Sequence, residues 1–192
     1  MADRETPGLE ALRCMRLNER RQAMAFTSFG TEHELLGSGV MAFAPGTSWI
    51  CKAVGVDLDA PLGDDEVARI VEFYRSRDVP PVLELTALGD EATFAAAARA
   101  GFALAEAENV LARVPAEVAV ELPEDLVIVD LDRQDRAAMR RHAEIVCSGF
   151  PPPDGRISEA WIAAAIESQH QPTARGLLVV DAQGEPVAAS GM

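Results

Sequence analysis

Lysine is nearly missing from this chain: Lys52 stands alone against sixteen arginines in 192 residues, the bias of a GC-rich bacterial coding sequence. Positive charge as a whole is scarce, with 17 Lys+Arg against 31 Asp+Glu and a formal net charge of −14. No basic stripe offsets that deficit, which excludes nucleic acid and anionic membrane as the main partners and favours a soluble surface. No apolar run approaches the ~18 residues of a membrane-crossing helix. Cysteine is sparse, and Cys14, Cys51 and Cys147 lie far apart with no CxxC or Cys/His cluster near them. That spacing supports neither a zinc site nor a disulfide frame. Buried, reduced thiols in a cytoplasmic protein are the expectation. The opening MADRETPG is polar and acidic and does not read as a secretory signal.

What is present is a run of short elements. Leu9 to Phe26 is expected to be a helix with a partial apolar stripe, its arginines and Glu19 facing water. Thr27 to Ser38 reads as loop. Gly37-Ser38-Gly39 hints at a phosphate-binding loop, but no strand clearly feeds it and no lysine follows, so a turn is the better reading. Val40–Ala44 and Trp49–Leu58 form an expected antiparallel pair across Pro45-Gly46. Asp64 to Arg77 is the clearest helix: Val67, Ile70, Val71 and Tyr74 share one face, acids crowd the first turn and arginines the last.

A strand is expected at Val82–Leu88, between Pro80-Pro81 and Gly89-Asp90. A helix capped by Asp90 then runs to Gly101, which can take the left-handed conformation, and Phe102 begins a further strand. The order from Trp49 to Arg113 is β-α-β-α-β, which implies some parallel pairing. Pro115–Glu124, with two prolines, three glutamates and no period, reads as a boundary. Beyond it come a strand at Leu126–Leu131 and a helix started by Asp132 or Asp135, with His142 on its inner face. A Pro-rich loop at 151–155, a helix capped by Ser158 and a hairpin around Asp181–Gly184 complete the chain, in the order β-α-α-β-β.

The short helix, the Gly101-Phe102 step and the strand toward Glu108-Asn109-Val110 resemble the last third of a GNAT-type acyl-CoA N-acyltransferase. Residues 126–192 resemble the first part of such a domain and residues 49–113 the second. The resemblance implies an α/β fold, a mixed sheet flanked by helices, in a tandem arrangement. Residues 1–114 would be a degenerate N-terminal domain, 115–125 a linker, and 126–192 the first half of a second, incomplete domain. It implies acetyl-CoA as co-substrate, no metal, and acetyl transfer to a small-molecule or protein amine. The alternative is a non-catalytic module of the same plan that binds a partner or a regulatory ligand.

The family's Gln/Arg-x-x-Gly-x-Gly/Ala turn, whose backbone N–H groups hold the pyrophosphate at a helix start, has no counterpart here. The matching joint, Gly55 to Glu66, carries Asp57, Asp59, Asp64, Asp65 and Glu66 instead, which would repel a diphosphate. A calcium loop is the other reading of these acids, but Gly63 falls one place late and Ala68 stands where the closing Glu belongs. Helix capping explains the same carboxylates.

Glu84 and Glu108 are the candidate bases, since a strand glutamate can take a proton from an amine; both are otherwise polar residues on an open strand face. Phe150, Asp154 and Trp161 flank the loop that lines the acceptor cleft in this family, Trp161 being alternatively a core residue. His142 reads as a satisfied core histidine before a base, and Cys147 has no basic partner to activate it. The last strand leaves an edge that invites pairing, so a homodimer or strand exchange through the C-terminal hairpin is expected.

Overall fold

The computed structural model describes residues 7–29, 32–108, 110, 121–150, 155–171 and 174–191. The chain divides into two compact units, Met1–Val114 and Pro115–Met192. Together the described residues form a mixed α/β protein with five helices and two three-stranded antiparallel sheets.

In the first unit, helix α1 (Pro7–Phe29) precedes a sheet ordered β1 (Glu32–Leu36), β2 (Gly39–Phe43), β3 (Ala53–Val54). The segment expected to be loop thus holds the end of α1 and the whole of β1. Strand β1 has no apolar alternation, because its outer residues are held by charge: Glu32 pairs with Arg77 and Glu34 with Arg69. Gly37-Ser38 is the tight turn into β2, with Gly37 at φ 55°, a conformation that glycine adopts without strain. The turn is clamped to the chain beyond β3. Ser38 Oγ donates to the Gly55 carbonyl at 2.7 Å and accepts from Leu58 N–H at 2.8 Å. The turn reading of Gly37–Gly39 therefore stands.

Strand β2 is buried along nearly its whole length and pairs antiparallel with β3, as expected, but β3 is only two residues long. Residues 48–50 are consumed by hydrogen-bonded turns (Ile50 N–H to Thr47 O, Cys51 N–H to Ser48 O), and Gly55 at φ 67° ends the strand.

Helix α2 (Asp64–Arg75) buries Val67, Ile70, Phe73 and Tyr74 against the sheet. Glu66 Oε2 accepts from Gly63 N–H at 2.9 Å, satisfying a donor at the helix start. The expected strand at 82–88 shrinks to one parallel bridge, Ala53 with Leu83, flanked by Ala53 N–H to Val82 O and Glu84 N–H to Ala53 O, both 2.9 Å. Prolines at 80 and 81 remove two ladder donors, and the Gly89 N–H to Thr86 O turn ends the run. The expected parallel pairing is thus confined to that bridge.

Helix α3 (Glu91–Arg99) is capped by Asp90, whose side chain accepts from Ala92 N–H. Asp90→Ala should cost about 1 kcal/mol in chemical denaturation. Gly101 takes φ 88°, and Phe102 packs back onto the α2 core. Residues 102–108 then form no strand. The rest of that expected strand, like most of the 115–125 boundary, lies outside the described residues.

In the second unit, β4 (Val127–Asp130), β5 (Gly176–Val180) and β6 (Pro186–Gly191) form a sheet in that order, all antiparallel. Helices α4 (Arg136–Ser148) and α5 (Glu159–Gln169) connect β4 to β5. Asp135 caps α4 through Ala137 and Ala138 N–H, and Ser158 caps α5 through Trp161 N–H. Leu131, Met139 and Leu178 form one buried cluster, and Ala143, Cys147 and Ile162 another. The β5–β6 hairpin closes at Asp181, whose Oδ1 accepts from Gln183 and Glu185 N–H. No helix among the described residues is long and apolar enough to cross a membrane.

Candidate functional site

An open groove of about 310 Å³ lies in the first unit, against the joint that follows β3. Leu12, Met15 and Arg16 of α1 form one wall, residues 57–61 another, and Thr86 with residues 88–90 the third. The joint reaches this position because Ser38 holds it from beneath and because Leu62 N–H donates to the buried Thr93 hydroxyl at 3.0 Å. Three carboxylates line the groove: Asp57, Asp59 and Asp90. Arg20 binds Asp59 at 3.0 Å, and farther along, Arg99 holds Asp64 at 2.7 Å.

Behind the groove the polar groups are more deeply placed. Glu19 of α1 is only 5 % exposed. The expectation that it faces water is overturned: it falls at helical spacing on the stripe Leu12, Met15, Glu19, Ala23, Phe26, and that face lies on β2 and β3. Gly55 N–H donates to its carboxyl, and Lys52, Glu84 and Asp57 surround it. Burial raises the Glu19 pKa most, with Glu84 and Asp57 adding to it, to about 7. Lys52 and the Gly55 N–H oppose the shift without cancelling it, because Lys52 is committed elsewhere: its Nζ lies 2.5 Å from Glu84 Oε2. Burial also raises Asp57, against its own backbone N–H, and its Oδ2 is buried with no hydrogen-bond partner among the described residues.

Glu84, then, is half-buried and ion-paired, fixing the residue after the Leu83 bridge to the β2–β3 connection. Glu108 is exposed and lies outside any strand, which removes the strand placement that made it a candidate base. Phe150 is 76 % exposed just past α4, and Trp161 is half-buried on α5. Asp154 lies outside the described residues. His142 is buried with its Nε2 3.0 Å from the Ser190 carbonyl, but its Nδ1 has no hydrogen-bond partner among the described residues, so the expected satisfied core histidine is met at one nitrogen only. Cys51 and Cys147 are buried, and burial raises both thiols, so neither is activated; Cys14 is half-buried.

Sequence reasoning found Glu84 and the acidic joint but missed Glu19 and Lys52. The signals were there: a carboxylate on an apolar stripe, and one lysine in a chain that otherwise uses arginine. Among the described residues no group of three or more His, Cys, Asp or Glu is arranged to hold a metal ion. Comparisons with family models, with curated proteins and with solved structures return no match to this chain.

Proposed function

We propose that the chain is built on the GNAT-type N-acetyltransferase plan, with a first unit that keeps the scaffold and lacks the coenzyme grip. One observation carries the reading. Strand β3 runs into the joint at 55–63, α2 starts at Asp64, and the chain returns parallel beside β3 at Leu83. That order resembles the strand–turn–helix–strand unit in which the family seats a pyrophosphate. The antiparallel β4-β5-β6 sheet, with two helices between its first strands, supports the same plan for the second unit.

The activity such a plan serves is transfer of an acetyl group from acetyl-CoA to a small-molecule or protein amine. In the first unit the turn is acidic where amide donors are needed. Opposed charges 4 Å apart at an effective dielectric near 20 interact by about 4 kcal/mol, so like charges there weigh heavily against a diphosphate. Glu84, committed to Lys52, serves as a tie between segments rather than as a base.

The acid-lined groove favours a second reading, a non-catalytic GNAT-like module that binds a partner or regulatory ligand. Calorimetry of the whole chain with millimolar acetyl-CoA should show no saturable heat. Binding below about 100 µM, an affinity of roughly −5.5 kcal/mol, would overturn the loss of the coenzyme grip. Steady acetyl transfer to any member of an amine panel would remove the non-catalytic reading.

A further inference from the structure

We draw no further inference here: the strongest candidate, the apolar row Ile128–Val179–Ala188 on the face of the β4-β5-β6 sheet opposite α4, carries none, because nothing among the described residues shows what covers it.

Discussion

Replacing Gly39 by alanine should unfold much of the first unit at ordinary temperatures. A methyl group there would sit 2.1 Å from the Val54 carbonyl oxygen and 2.3 Å from the Gly55 carbonyl carbon, both backbone atoms that cannot swing aside. Relief would require β2 to move off β3, breaking the register of Val40 with Val54 and Met41 with Ala53. Both strands are buried there, and Val40, Met41, Ala53 and Val54 are core residues. The expected cost is about 4 kcal/mol, at the upper end for single substitutions because backbone must shift inside a core. In a unit of this size each 1 kcal/mol shifts the midpoint by roughly 4–8 °C, so thermal unfolding should fall by at least about 15 °C. Gly184→Ala is the contrast. Unlike Gly39 it lies at positive φ (80°), but open space surrounds it, and about 1 kcal/mol is expected. Equal effects at the two positions would show that space at β2–β3 is not what requires Gly39.

Substituting Glu19 by glutamine should raise stability at pH 8 and leave it unchanged at pH 4. The folded chain holds the Glu19 proton to about 7, against an ordinary value of 4.5. Between those values the folded state binds more protons than the unfolded state, so stability falls as pH rises. The contribution is present in full below 4.5 and is lost by the time pH has passed 7. At about 1.4 kcal/mol per pKa unit, the loss between 4.5 and 7 comes to roughly 3.5 kcal/mol in the wild type. Asp57, also raised by burial, adds to the slope with the same sign. Urea denaturation from pH 4 to pH 8 should give a falling curve for the wild type and a flatter one for Glu19→Gln, the two coinciding at pH 4 and parting above about 4.5 in favour of the variant. Parallel curves would mean that Glu19 is solvated after all.

These two positions also mark where the sequence was legible. Helix α2 announces itself through period and end charges, Asp90 and Ser158 through cap chemistry, and the Asp181–Gly184 hairpin through its turn residues, because each signal is local. Strand β1 was illegible for a local reason too. Glu32, His33 and Glu34 carry no apolar alternation, and what makes them a strand is a glycine turn on one side and two arginines of distant segments on the other. The strand at 82–88 failed in the opposite sense: its apolar content was read as pairing, while its prolines and the Thr86–Gly89 turn leave room for one bridge. Of the site, Glu84 could be picked out, but its partner Lys52 lies thirty-two positions away and is brought near only by the parallel return. Glu19 was misread because a charged residue on an apolar stripe is ordinarily its solvent margin.

The second unit shows what a pair of facing glycines can accomplish. Helix α5 is apolar on nearly every side through Ala160–Ile166, so greasiness alone does not say how it should be rotated about its own axis. Its last residue, Gln169, lies against the β5–β6 ladder where Gly176 stands opposite Gly191, and a methyl at either position would come within 2.9 Å or 3.1 Å of its amide. The amide thus works as a key in a slot cut by two missing side chains. A helix that could otherwise roll is indexed to one azimuth, and the alanines along it are free to be alanines.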